Sequence, residues 1–236
     1  MASGRLDKTL VTLTAPSSFA AEQYQGLRLK CEQLRRARDV RVIAITSPGA
    51  GEGKTLTSIN LAGALARGAD ARVLLIDADL RRPTIAASLG IADRSRGGLS
   101  DLVSGDTAKL PDVAQRLDRF DFDVVPVGAA RMPAHQVLRS PKLDAILREA
   151  RDQYDFVLLD TPPLLPVFDS ALLARAVDGV LVVVAANRTP RKLLEEALNL
   201  LDPAKVLGIV FNRDARPLFG YYRSYYGSYF ENENVA

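Results

Sequence analysis

Ser47-Pro48-Gly49-Ala50-Gly51-Glu52-Gly53-Lys54-Thr55 is the stretch on which the fold turns. An apolar run at 40–46 leads into it, and a helical pattern over 56–67 leaves it. A strand entering a glycine turn that opens a helix is the context a phosphate-binding loop requires. Gly49, Gly51 and Gly53 permit tight turning and close approach of backbone to a ligand. The amides of Gly49, Ala50, Gly51, Glu52 and Gly53, with the helix start at Leu56, are expected to wrap a β-phosphate. Lys54 then reaches between β- and γ-phosphates, and Thr55 offers its hydroxyl to Mg2+. The usual pattern has glycine six residues before the lysine; this chain has Pro48 there.

Two further strand ends support that reading. Val73-Leu74-Leu75-Ile76-Asp77-Ala78-Asp79 and Phe156-Val157-Leu158-Leu159-Asp160 are apolar runs ending in carboxylates. Magnesium favours a few carboxylates, water and phosphate oxygens. Asp77 and Asp160 are expected to hold it mainly through water, with Asp79 further out, assisting the metal or accepting a hydroxyl proton. The bland alternative is that such aspartates merely cap helices.

The remaining apolar runs fall at 122–126, 179–184 and 206–211, and helical patterns at 19–37, 141–151, 170–176 and 190–201. Valine, isoleucine and leucine runs without clean alternation belong to strands covered on both faces. The fold class is therefore α/β: a three-layer sandwich with a mostly parallel central sheet and right-handed crossovers. Residues 1–18 read as a flexible leading segment, 19–213 as one domain, and 214–236 as a mobile tail. That tail holds five of the chain's seven tyrosines: Tyr221, Tyr222, Tyr225, Tyr226 and Tyr229. They are expected phosphoryl acceptors. Stacking on sugars, bases or protein is the other role such aromatic-glycine segments take.

Composition narrows the classes. The chain has 236 residues, 47% of them hydrophobic, enough for one substantial core. No apolar run is long enough to span a bilayer. A formal net charge of +3 does not point to nucleic acid. Locally, Arg28, Lys30, Arg35, Arg36, Arg38 and Arg41 form a basic patch that could face a membrane, an acidic protein or a neighbouring subunit. The single cysteine, Cys31, shares a helix face with Leu27 and Leu34 and reads as packing. The single histidine, His135, excludes a histidine metal cluster.

Taken together the chain resembles the bacterial tyrosine autokinases of capsule and exopolysaccharide export, the BY-kinases. The resemblance rests on Leu74-Leu75-Ile76-Asp77-Ala78-Asp79-Leu80-Arg81-Arg82-Pro83 and on Gly51-Glu52-Gly53-Lys54-Thr55. Gly98-Leu99-Ser100-Asp101-Leu102, Val125-Pro126-Val127-Gly128 and Leu159-Asp160-Thr161-Pro162-Pro163 extend it. It implies a P-loop NTPase fold of the MinD/ParA-like type, ATP or ADP with Mg2+, and transfer to tail tyrosines, favoured between subunits. Lys54, Asp77, Asp79 and Asp160 would be catalytic, with Thr55 and the three aspartates at the metal. Asn212 would read adenine, with Arg213 beside the base. Partition ATPases of the clan carry a second lysine at the start of the loop, where this chain has Gly49.

The resemblance also implies a homo-oligomer, possibly a ring, with Glu22 and Arg28 pairing between subunits. Gln25 stands where the family's helix motif has an arginine. Arg81 and Arg82 are expected at a subunit interface. A separate transmembrane activator would hold the kinase at the inner face of the cell membrane, in the cytoplasm. Two other functions remain open: a regulatory ATPase without tyrosine transfer, and a non-catalytic nucleotide-binding adaptor.

Overall fold

The computed structural model describes residues 7–68, 71–91, 95–105, 109–129, 131–165 and 169–214. The tail tyrosines therefore lie outside the described residues. Seven strands form one sheet: β1 Val42–Thr46, β2 Val73–Asp77, β3 Gln115–Leu117, β4 Phe122–Val125, β5 Phe156–Asp160, β6 Gly179–Ala185 and β7 Val206–Asn212. Their order is β3-β4-β2-β5-β1-β6-β7, and every pair is parallel except β3 with β4. The helices are α1 Val11–Thr14, α2 Phe19–Arg38, α3 Lys54–Gly68, α4 Ile85–Ser88, α5 Leu99–Ser104, α6 Leu110–Val113, α7 Ala134–Leu138, α8 Pro141–Gln153, α9 Asp169–Ala176 and α10 Arg191–Leu198.

Alternate strand residues feed two separate cores, which makes three layers. Val42, Ala44, Leu74, Ile76, Val157 and Leu159 pack on one face with α5, α8 and α9. Ile43, Ile45, Val73, Leu75, Phe156 and Leu158 pack on the other with α1, α2 and α3. Both faces being apolar, no polar alternation was there to read, which is why the central strands appeared as continuous hydrophobic runs.

The leading segment is a correction. From Leu10 onward it is packed: Leu10 and Leu13 are buried, and α1 lies on α3. Asn60 Oδ1 accepts from the Thr12 amide at 3.0 Å and the Thr12 hydroxyl at 3.1 Å, while Asn60 Nδ2 donates to the Thr9 carbonyl at 3.1 Å. A Cβ on Gly63 would lie 2.6 Å from Leu13 Cδ2 and 2.8 Å from Thr12 Oγ1, so a larger residue at that helix position would push these side chains out of place. Strand β3 was also unforeseen. It is three residues long, Gln-Arg-Leu, on the sheet edge, where polar side chains suppress unwanted pairing.

Two of the quoted motifs interlock. The amides of Leu99 and Ser100 donate to the carbonyls of Pro126 and Val127 at 2.8 and 2.9 Å. Asp101 Oδ2 accepts from the Gly98 and Ala129 amides at 2.9 and 3.0 Å. A Cβ on Gly98 would come within 2.2 Å of the Pro126 carbonyl oxygen, so the two backbones meet only through glycine. Cys31 is buried, and burial pushes its thiol up to about 12, as a packing residue requires.

Candidate functional site

The carboxyl ends of β1, β2 and β5 lie side by side, with Asp77 in register with Asp160. Adjacent parallel strands thus bring together residues more than eighty positions apart in the chain. Gly51 and Gly53 have φ of +78° and +96°, the left-handed region where glycine is at ease. The loop then opens α3, whose first residues are Lys54 and Thr55.

Lys54 Nζ donates to Asp79 Oδ2 at 2.8 Å and lies 3.7 Å from Asp160 Oδ2. Thr55 Oγ1 donates to Asp160 Oδ2 at 2.6 Å, and Ser58, one helical turn on, reaches Asp160 Oδ1 at 3.2 Å. Thr84 Oγ1 approaches Thr55 Oγ1 at 3.3 Å. Asp77 accepts from the amides of Asp79 and Ile85, both at 3.2 Å. Asp79 Oδ1 accepts from the Arg82 amide at 3.1 Å.

Burial sets the electrostatics. Desolvation, then the Asp160 charge, pushes Asp77 up to about 7. Desolvation also pushes Asp160 up to about 6, although Lys54 and the Thr55 hydroxyl favour its ionised form. Burial disfavours the Lys54 ammonium, but Asp160, Asp79 and Asp77 outweigh it and hold its pKa above the ordinary value.

A cavity of about 480 Å³ opens over these groups. Ala50, Gly51, Gly53, Lys54, Thr55 and Leu56 line it on one side; Asp79, Arg81, Arg82, Thr84, Pro162, Pro163 and Arg213 complete it. Polyphosphate and Mg2+ fit this donor set: loop glycines without side-chain bulk, one buried lysine, a helix-start hydroxyl and hard carboxylate oxygens. Among the described residues no three carboxylate, imidazole or thiol groups gather as a metal cage.

Other expected residues take different places. The Glu52 side chain turns inward, buried, away from the cavity. Its Oε1 accepts from the Gly49 amide at 2.9 Å, and its Oε2 from the Ala185 amide at 3.0 Å and the Thr189 hydroxyl at 2.7 Å. It braces the loop against the end of β6. Asn212 Nδ2 donates to the Glu52 carbonyl at 2.9 Å, and a Cβ on Gly53 would lie 1.9 Å from that nitrogen. Asn212 therefore supports the loop at Glu52 and Gly53, while Arg213 lines the cavity. Arg81 and Arg82 also stand on the cavity wall, with Arg81 Nε donating to Asp169 Oδ2 at 2.7 Å.

Glu22 is exposed near the start of α2. Arg28 is engaged within the chain: it pairs with Glu32 at 3.2 Å and packs against Gly68, where a Cβ would meet its Nη1 at 1.6 Å. Ser58, Thr84, Asp169 and Thr189 were not foreseen. Only the one-turn spacing of Ser58 from Lys54 was visible in the sequence.

A family model described as "AAA domain" matches residues 40–205. The chain is 34% identical to the "Succinoglycan biosynthesis transport protein ExoP" of Rhizobium meliloti (strain 1021), over 96% of this chain and 30% of that protein. It is 31% identical to the "Tyrosine-protein kinase YwqD" of Bacillus subtilis (strain 168), over 88% of this chain and 87% of that one. The chain thus spans under a third of the first relative and most of the second. The crystal structure of the chimerical protein CapA2B2 superposes with a TM-score of 0.81 at 26% identity, covering 90% of this chain and 92% of that one. Among the described residues no helix is long and apolar enough to cross a membrane. With the site motifs in place and a relative matched over most of both lengths, the chain belongs to the bacterial tyrosine-kinase (BY-kinase) family, within the P-loop MinD/ParA-like ATPase clan.

Proposed function

We propose that this chain, a tyrosine kinase by family, transfers the γ-phosphoryl group of ATP to tyrosines of its own carboxyl-terminal segment. The reading is carried by the convergence of Lys54, Thr55 and Asp79 on one cavity, with Asp160 buried beneath them against Thr55 and Lys54. Phosphoryl transfer requires alignment and neutralised charge more than covalent chemistry by the protein. The loop amides and Lys54 would hold the phosphates, and Thr55 and Asp160 would hold Mg2+. Mg2+, when bound, neutralises charge on the β- and γ-phosphates. Asn212 and Arg213 contact the adenine side, while Asn212 Nδ2 also donates to the Glu52 carbonyl of the loop.

A tyrosine has a pKa near ~10 and arrives protonated. Asp79 is the acceptor we assign for that proton, because it lines the cavity over the loop and Asp77 does not. Asp77, tied to two backbone amides, holds the end of β2 in place. Tyr221, Tyr222, Tyr225, Tyr226 and Tyr229 are the proposed acceptors, reached in a neighbouring subunit's site. Glu22, Arg81 and Arg82 are proposed contacts between subunits, with Arg28 contributing only if it leaves Glu32.

The setting follows from the relatives. ExoP is a succinoglycan biosynthesis transport protein and CapA2B2 a chimera, and this likeness supports polysaccharide transport as the setting, with a separate membrane-spanning activator as the partner of this chain. On that reading the chain works at the cytoplasmic face of the cell membrane and regulates exopolysaccharide or capsule assembly.

Incubation of the full chain with Mg2+ and ATP, then phosphosite mapping by mass spectrometry, tests the assignment. Phosphotyrosine within residues 221–229, absent from Lys54→Met, is the expected result. ATP hydrolysis at a steady rate with no phosphotyrosine would replace it with a regulatory ATPase.

A further inference from the structure

A second cavity, of about 560 Å³, lies away from the nucleotide site and shares no lining residue with it. It is lined from α8 and its leading turn by Arg139, Asp144, Arg148 and Arg151, and from α9 by Arg175. Its far end reaches Asp178 and Val42, at the amino edge of the sheet. Four arginines thus meet two carboxylates.

One of those carboxylates is already matched. Asp178 Oδ2 accepts from Arg151 and from the amides of Arg41 and Val42, both at 2.8 Å. Arg151 is spent there and on Asp39. The guanidinium groups of Arg139, Arg148 and Arg175 are exposed along this open groove and make no hydrogen bond or ion pair among the described residues, and only the exposed Asp144 remains to offset them. Nor does Arg175 serve the end of α9, because Lys205 Nζ already donates to the carbonyls of Ala174, Arg175 and Val177 at 3.0, 2.8 and 2.8 Å.

Guanidinium forks match the paired oxygens of a phosphate, and several of them around one cavity select a multivalent anion. The volume is that of a small-molecule site. We propose that the space between α8 and α9 is a second anion site, binding a diphosphate group through Arg139, Arg148 and Arg175. The group is either inorganic diphosphate or a diphosphate ester, and the nucleotide site takes no part in holding it.

The test is calorimetric titration of the full chain already saturated with Mg-ADP, so that the loop site is filled. Pyrophosphate should add one further equivalent, weakening as salt is raised. The Arg148→Ala/Arg175→Ala double variant should bind it at least tenfold more weakly while keeping its ADP affinity. Arg38→Ala, an exposed arginine outside the cavity, should leave it unchanged. A parallel titration with UDP separates the sources: tighter binding than pyrophosphate assigns a diphosphate ester, equal binding the inorganic anion. No second equivalent on the ADP-loaded chain would overturn the proposal, as would binding that the double variant retains in full.

Discussion

Thr55 Oγ1 donates to Asp160 Oδ2 across 2.6 Å, which ties the first turn of α3 to the last residue of β5. The hydroxyl and the carboxylate come from elements 105 positions apart and share one buried corner with Lys54. Replacing Asp160 by asparagine keeps the shape and removes the charge. We expect it to lower tyrosine transfer by about 100- to 1,000-fold, as loss of a preorganised electrostatic group does. ADP binding without Mg2+ should persist. Calorimetry with and without Mg2+ checks this, and an unchanged metal dependence would contradict the role given to Asp160.

Glu52 gives a prediction about the loop rather than the chemistry. Glu52→Ala leaves the Gly49 and Ala185 amides without their acceptor in a buried place. The cost should be about 1–3 kcal/mol for each unsatisfied group, with weakened ADP binding. Glu52→Gln keeps one acceptor oxygen and should fall between the two. Thermal unfolding and ADP titration of the three proteins would show the order; an alanine variant as stable as the native chain would remove the brace.

Asn212→Ala separates two parts of one side chain. If its amide supports the loop through Glu52 and Gly53, affinity for ATP, GTP and inorganic triphosphate should all drop. If Asn212 acts only on the base, ATP alone should suffer. We expect a general drop of roughly tenfold, about 1.4 kcal/mol, with a further loss confined to adenine nucleotides. Competition titrations measure both components.

Asp77 sets a pH dependence of stability. Its pKa rises from 3.8 to about 7 on folding, chiefly by desolvation. Between those values the folded chain holds a proton that the unfolded chain releases. The contribution is therefore full below pH ~4 and lost as pH rises through about 7. In chelator-containing buffer, the native chain should lose at most about 3 kcal/mol relative to Asp77→Asn between pH 5 and pH 8, the bound set by the two pH units from pH 5 to the folded pKa. Parallel denaturant titrations of both proteins would expose a flat difference, the result that would contradict it.

The local features were legible in the chain itself. Residues 40–46, 73–77 and 156–160 announced buried parallel strands because both faces of each are covered, and their terminal aspartates sit where such strands end. Lys54 and Thr55 were legible because phosphate binding depends on a contiguous turn whose backbone does the work. The helical patterns at 19–37 and 141–151 followed from spacing within single turns, and the helices run one and two residues further, Phe19–Arg38 and Pro141–Gln153.

What the chain alone did not disclose are contacts between distant positions. The docking of Leu10 and Leu13 on α3 depends on the space left by Gly63. The inward turn of Glu52 depends on an amide 133 residues away, and the place of Asn212 against the loop on a carbonyl 160 away. Arg81 faces the cavity because Asp169 holds it there. Periodicity and turn chemistry report the forces acting within a few residues, and these wrote the strands, the loop and the helices. A polar side chain with several partners within reach takes its direction from whichever donors the packed sheet brings near, and only folding brings them near.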